Sequence, residues 1–287
     1  MLMGVMGWPV HHSASPAMMN AAFREMGLEA VYVPFAVPPS RLAEAIRGLA
    51  ALGVRGVNVT IPHKETVCEW VDHLSEDATR AGAVNLVRID AKTGSLEGHN
   101  SDIIGWYLSV SEHLAANPNA EVLILGAGGA TRGIVTALSL YSPRTRVQVT
   151  ARRPQQSQAL VHAFQHHLAI EAVLWEKRGE AVAAADMVIN ATPIGMWPQV
   201  SESPIADSSC FRRGQVVQDI IYRPLQTRFL EQAEAQGATV LDGLWMLVHQ
   251  GAVSVDFWVG QKPPLAIMRE AALRHVQSTS NAKGIDG

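Results

Sequence analysis

An α/β protein of two domains is predicted, the first a mixed arrangement of helices and strands and the second a doubly wound domain. Three observations predict it. The chain has 287 residues, more than one compact core usually takes. Helical and strand-like segments alternate along it, which is the pattern of parallel sheets covered by helices on both faces. A short apolar run at 122–125 passes at once into Gly126-Ala127-Gly128-Gly129-Ala130 and then a helical stretch to Leu140. A buried strand entering a nucleotide-binding turn has this form.

The opening segment, Met1-Leu2-Met3-Gly4-Val5-Met6-Gly7, is apolar but short. It lacks a basic leader and runs into Trp8-Pro9, so it reads as a first strand. Ser15 before Pro16 reads as a helix N-cap, and Met19, Ala22, Phe23 and Met26 recur at helical spacing until Gly27. Residues 31–35 read as a strand, 39–52 as a helix closed by Gly53, and 54–60 as a strand ending at Pro62. Lys64 lies just past that end. After the glycine turn and its helix, strands are expected at 146–150, 171–174, 187–191, 216–219 and 239–241. The polar tail, 277–287, reads as frayed, and the chain carries no internal repeat.

Composition excludes several classes of function. With 48% hydrophobic and 17% charged residues and a formal net charge of -3, neither disorder nor attraction to nucleic acid is indicated. A small molecule is the expected partner. No run approaches membrane-spanning length, so a cytoplasmic location without a membrane partner is expected, as a monomer or a homodimer. Cys68 and Cys210 stand far apart without C-x-x-C spacing, against a disulfide framework or a cysteine zinc site. His11, His12 and His63 have no carboxylate beside them at ligand spacing, so no metal is expected.

Glycines at 126 and 128 allow a tight turn and bring backbone N–H groups against a pyrophosphate, whose charge the following helix N-terminus also favours. Thr131 stands where the common G-x-G-x-x-G pattern has its last glycine, and Gly129 is an additional one. The next strand ends in Val149-Thr150-Ala151-Arg152-Arg153, where an NAD-binding protein usually places an acid for the ribose hydroxyls. No acidic residue occurs from Val122 through Ile170. Arg152 and Arg153 instead suit the 2'-phosphate of NADP, because guanidinium presents a planar, permanently charged fork to phosphate oxygens. The second domain thus reads as a Rossmann NADP-binding domain.

Polar residues of the first half gather at strand ends, where α/β sheets place ligands, and are expected to converge on one cleft. Ser13 and Ser15, one residue apart, can grip a carboxylate beside a helix N-terminus. Asn58-Val59-Thr60-Ile61-Pro62-His63-Lys64 and Gly98-His99-Asn100-Ser101-Asp102 supply a lysine and a carboxylate. In a desolvated cleft that pair can exchange a proton with a substrate hydroxyl as hydride leaves or arrives.

Together these segments resemble the shikimate dehydrogenase family from about Gly4 to about Val276. Its pattern G-x-P-x-x-H-S-x-S-P is met at 7–16, N-V-T-x-P-x-K at 58–64, G-A-V-N at 82–85, G-x-N-[TS]-D-x-x-G at 98–105 and G-A-G-G-A-x-R-G at 126–133. Asn190-Ala191-Thr192-Pro193-Ile194-Gly195-Met196, Asp219-Ile220-Ile221-Tyr222-Arg223-Pro224 and Gly243-Leu244-Trp245-Met246-Leu247-Val248-His249-Gln250 complete the set. The resemblance implies NADPH-dependent interconversion of 3-dehydroshikimate and shikimate, a step of aromatic amino acid biosynthesis. It implies that Ser13 and Ser15 hold the substrate carboxylate and that Thr60, Lys64, Asn85, Asp102 and Gln250 bind ring hydroxyls. Lys64 and Asp102 would be the catalytic pair, Tyr222 would line the substrate pocket, and Ile220, Gly243 and Met246 would lie near the nicotinamide. A substrate domain over 1–103, completed by helices in 244–276, and an NADP domain over 104–243 follow from it. The chain departs from the pattern at Met19, where a histidine is common, and at Leu86, where a threonine is. A quinate/shikimate dehydrogenase with broader substrate or NAD use, or a non-catalytic NADP sensor, are the alternatives.

Overall fold

A computed structural model describes residues 1–281. The chain forms two compact units, Met1–Trp106 with Leu247–Ser278 and Tyr107–Met246. The first holds β1 (Leu2–Gly7), α1 (Ser15–Glu25), β2 (Val31–Ala36), α2 (Leu42–Ala51), β3 (Val54–Val59), β4 (His73–Leu74), α3 (Glu76–Ala81), β5 (Leu86–Ile89) and β6 (Leu96–His99), and it shares α4 (Ser101–Ala116) with the second. The second continues with β7 (Glu121–Leu125), α5 (Gly129–Tyr141), β8 (Arg146–Ala151), α6 (Pro154–Phe164), β9 (Ala169–Leu174), α7 (Arg178–Ala184), β10 (Met187–Asn190), β11 (Val216–Asp219), α8 (Arg228–Ala235) and β12 (Thr239–Leu241). Helix α9 (Leu244–Val259) leads back to the first unit, where α10 (Leu265–Asn281) begins. The passages between units fall inside α4 and α9, three residues beyond 103 and 243. Continuous helices cross there, with no linker composition to mark the place. Of the polar tail, residues through Asn281 extend α10 and 282–287 lie outside the described residues.

The first sheet runs β2-β1-β3-β5-β6-β4. Strand β1 lies between two parallel partners, so it is buried from Met3 to Gly7, and an apolar run without alternation is what such a strand needs. The sheet is mixed rather than parallel, because β5 runs antiparallel to both β3 and β6. Asp90 causes the reversal. Its Oδ1 accepts the backbone N–H groups of Lys92 and Thr93, closing the turn that sends β5 back as β6. Helix α1 begins one residue earlier than expected: Ala14 is its N-cap, without a side-chain bond, and Ser13 Oγ accepts the Ser15 N–H at 3.2 Å. The stretch expected as one helix at 39–52 opens as a 3-10 turn, Pro39–Arg41, before α2. Ile46 and Leu49 of α2 pack with Met6, Val57, Val59, Val84 and Val87 under the sheet.

The second sheet runs β12-β11-β10-β7-β8-β9 and is parallel throughout. Strand order reverses between β7 and β10, the point at which doubly wound sheets bind ligands. Leu123, Leu125, Val188 and Val217 form one face of its core against Val182 of α7 and Phe229 and Leu230 of α8. Phe229 is fully buried and meets Phe211 edge-on at 5.6 Å between ring centres. Phe229→Ala leaves a cavity there that rigid strands on one side cannot fill, and it is expected to cost about 3–5 kcal/mol of stability, read from urea unfolding.

Candidate active site

Lys64 and Asp102 meet: Nζ donates to Oδ2 at 2.5 Å, with the side chains 15% and 5% exposed. Each is placed by its element. Thr60 ends β3's course by donating its N–H to Met6 O at 2.8 Å, and the His63 N–H returns to Thr60 O, so the chain turns and Lys64 projects from the strand's end. Asp102 lies in the first turn of α4, where the helix dipole favours a carboxylate, and its N–H donates to Asn100 Oδ1.

Three consecutive residues tie the two halves of the pair together. Ala83 O accepts Asn100 Nδ2 at 2.9 Å, the Val84 N–H donates to Lys64 O at 2.8 Å, and Asn85 Oδ1 accepts the Ser101 N–H at 2.7 Å. The segment is a strap between lysine and carboxylate. Asn85 is buried and Gln250 half-buried. Gln250 Nε2 donates to Leu247 O, and the turn of α9 that carries it presses on α4, where a Cβ at Gly105 would fall 2.7 Å from Gln250 N. The loop after β1, which carries Ser13 and Ser15, is joined to the Lys64 loop by the Trp8 N–H donating to Ile61 O at 3.0 Å. Thus Ser13, Ser15, Thr60, Lys64, Asn85, Asp102 and Gln250 all belong to the first unit. His63 is buried with Nε2 2.8 Å from Val37 O, a structural bond beside the lysine.

The second unit carries the other predicted residues. Gly126 adopts φ +114°, and a Cβ there would fall 2.9 Å from Ala191 O, so only glycine lets β7 turn this close to β10. Gly128 has open space where a side chain would be. It caps α5 without a side-chain bond, and the helix's first turn contains no acid. The N–H groups following Gly129 and Ala130 therefore have no side-chain cap, and the turn fits a pyrophosphate. Arg152 and Arg153 are exposed at the end of β8, and Arg153 Nε donates to Gln156 Oε1. Together the turn and the arginines are a donor set suited to NADP. The Ile220 N–H donates to Asn190 O and the Gly243 N–H to Ile221 O. Tyr222 is half-buried in the same loop, and Met246 is buried in α9.

Residues 5–87 match the model for the shikimate dehydrogenase substrate binding domain, 110–212 that for shikimate / quinate 5-dehydrogenase, and 243–273 that for the shikimate 5'-dehydrogenase C-terminal domain. The chain belongs to the shikimate dehydrogenase family. It is 44% identical to the shikimate dehydrogenase (NADP(+)) of Thermococcus kodakarensis, over 96% of this chain and 97% of that one. It is 40% identical to that of Methanopyrus kandleri, over 96% of each. The crystal structure of the Thermus thermophilus shikimate 5-dehydrogenase with NADP(H) and shikimate superposes with a TM-score of 0.85 at 36% identity, covering 96% of this chain and 99% of that one.

Both departures from the family pattern are packing residues. Met19 and Leu86 are fully buried, and Met19 Sδ lies 3.4 Å from where a Cβ on Gly251 would be. Sequence reasoning gave no role to Asn58 or Ser254, discussed below, or to Asp219. Asp219 is fully buried at the end of β11. Burial pushes its carboxyl up to about 7, against hydrogen bonds from the Ile221 N–H, Asn190 Nδ2 and Thr227 Oγ1. Asn190 Oδ1 also accepts the Thr192 N–H, so the acid knits together the loops after β10 and β11.

The raised value fixes a sign for stability. Below the ordinary 3.8 the acid is protonated whether the chain is folded or not. Between there and about 7 the unfolded chain ionises first, so the folded state binds more protons and loses stability as pH rises. Asp219→Asn is expected to lower stability at low pH, where its bonds are disturbed, and to flatten the decline between pH 4 and about 7. Urea midpoints across that range, identical in slope for parent and variant, would count against this burial.

Proposed function

We propose that this chain reduces 3-dehydroshikimate to shikimate, and reverses the step, with Lys64 and Asp102 handling the proton. The 2.5 Å contact between Lys64 Nζ and Asp102 Oδ2 carries the reading. An ammonium held against a carboxylate, nearly out of water, is positioned to give a proton to an oxygen that is becoming an alkoxide. NADP is the cofactor and in its reduced form supplies the hydride.

The chain's own groups do the rest. Ser15 in the first turn of α1 and Ser13, whose Oγ accepts the Ser15 N–H, offer hydroxyl protons to the substrate carboxylate at a helix end that favours negative charge. Thr60, Asn85 and Gln250 hold ring hydroxyls. Asp102 accepts from Lys64 and so aims its ammonium, and in the oxidative direction the lysine, as the neutral amine left once that proton is given up, takes the hydroxyl proton. Gly126, Ala127, Gly128, Gly129 and Ala130 receive the pyrophosphate on backbone N–H groups, and Arg152 and Arg153 receive the 2'-phosphate. Tyr222, Ile220, Gly243 and Met246 would serve the substrate and nicotinamide from the loop after β11 and the start of α9. No helix among the described residues is long and apolar enough to cross a membrane, and a cytoplasmic location accords with this reading.

The test is NADPH formation by the purified protein with shikimate and quinate in parallel, each with NADP and with NAD. Turnover of shikimate with NADP is expected to dominate; a preference for quinate or NAD overturns the assignment. Lys64→Met is expected to cut kcat by about 10²–10⁴-fold with a smaller change in shikimate affinity, and unchanged turnover removes the lysine from the mechanism. Replacing Arg152 and Arg153 with Gln is expected to raise KM for NADP by about tenfold or more while leaving that for NAD unchanged. Parallel changes with the two cofactors would assign the arginines elsewhere.

A further inference from the structure

We propose that Asn58 and Ser254 are positioning residues for substrate recognition: their hydrogen bond registers Asn85 and the backbone of Gln250 against each other, in a circuit that also sets the polarity Asn85 presents. This rests on the reading of those two amides as ligands of ring hydroxyls. Asn58, in β3, is 8% exposed, and Ser254, in α9, is fully buried, so both act through their neighbours.

The Asn58 side chain commits both of its protons and its carbonyl oxygen. Oδ1 accepts from Tyr32 Oη at 2.7 Å, and the two Nδ2 protons go to Asn85 O at 3.2 Å and Ser254 Oγ at 2.8 Å. Ser254 Oγ in turn donates to Gln250 O, one helical turn earlier, at 2.9 Å and lies 3.5 Å from Ser101 Oγ. Ser101 closes the circuit, since its N–H and Oγ both reach Asn85 Oδ1, at 2.7 and 3.2 Å. One serine hydroxyl therefore bonds the backbone that carries Gln250 and the strand residue that pins Asn85, and it lies in contact with Ser101 at the start of the helix that bears Asp102.

The circuit decides the polarity of Asn85. Because Asn85 Oδ1 faces a backbone N–H, its Nδ2 is the atom left for a ligand, and it can only donate. Gln250 Nε2 gives one proton to the Leu247 carbonyl, which leaves Oε1 to accept and the second Nε2 proton to donate. A donor and an acceptor held in fixed register select hydroxyl groups by the direction of their protons as well as by position. A site that hydrogen-bonds hydroxyls in this way rejects analogues that leave either amide unpaired.

Ser254→Ala keeps the fold's volume but removes the link. It is expected to raise KM for shikimate by about tenfold, the value of one hydrogen bond, to leave KM for NADP unchanged, and to speed amide hydrogen exchange at Ser101. Ser254→Thr, which keeps the hydroxyl, is expected to restore both. Tyr32→Phe removes a bond from the far side of Asn58 and is expected to lower Tm while leaving KM for shikimate and the Ser101 exchange as in the parent. Should Ser254→Ala not fold, Ser254→Cys, with a weaker hydrogen bond in a similar volume, gives the same comparison. A Ser254 variant with parental KM for shikimate and parental exchange at Ser101 overturns the proposal, however early it melts. A Tyr32→Phe variant that loses as much substrate affinity also overturns it, because general loosening then explains both. If the parent neither turns over nor binds shikimate, the assignment of Asn85 and Gln250 fails, while exchange at Ser101 still decides whether the circuit exists.

Discussion

The first unit depends on keeping an ammonium and a carboxylate in contact with little water around them. Either charge alone in that place would carry a desolvation penalty of several kcal/mol, so whatever holds Lys64 must also hold Asp102. The two lie 38 residues apart, one past a strand and one in a helix, and no single element can set their distance. The strap at Ala83, Val84 and Asn85 does so, with a carbonyl, an N–H and a side-chain oxygen each committed to one side or the other. A carbonyl and an N–H already lie on the backbone of any residue, so only the third position needs a particular side chain. That explains why small apolar residues precede the asparagine.

Much of this was legible in the sequence, and for identifiable reasons. Strands buried on both faces announce themselves as unbroken apolar runs, so 122–125 and 187–191 were placed within a residue or so of β7 and β10. Glycines at forced backbone positions gave the turn at Gly126. Lys64 and Asp102 could be paired because both follow strand ends, where one sheet edge collects them. The β5–β6 hairpin was missed although Asp90-Ala91-Lys92-Thr93-Gly94 carries a turn signal, because alternation of helix and strand suggested parallel pairing throughout. The passages between units left no mark in the sequence, because continuous helices run across them.

The buried polar circuit was illegible for a different reason. Asn58 and Ser254 are 196 residues apart, and a serine in the middle of a helix looks like any other weak helix former. Asn58 did leave a trace: asparagine is depleted in strand interiors, and one flanked by Val57 and Val59 needs partners that compensate for its burial. Asp219 left a similar trace after Val216 and Val217. A polar residue set in an apolar strand is thus the sequence's mark of a network, but it does not name the other members, which depend on how distant elements come together.

On the proposed function the two units answer their ligands with different chemistry, and the ligands explain why. Phosphates carry charge and accept from any direction, so backbone N–H groups at an uncapped helix and flexible arginines suffice, and their precision can be low. Ring hydroxyls are neutral, and each both donates and accepts, so recognising them requires side-chain atoms of known polarity held at fixed angles. Side-chain amides are free to rotate, and only a second ring of hydrogen bonds stops them. The first unit therefore spends buried Asn58, Ser101 and Ser254 behind its site, whereas the second spends glycines. On this argument rigidity in this chain is concentrated where specificity depends on proton direction, and backbone N–H groups with mobile arginines serve where charge is enough.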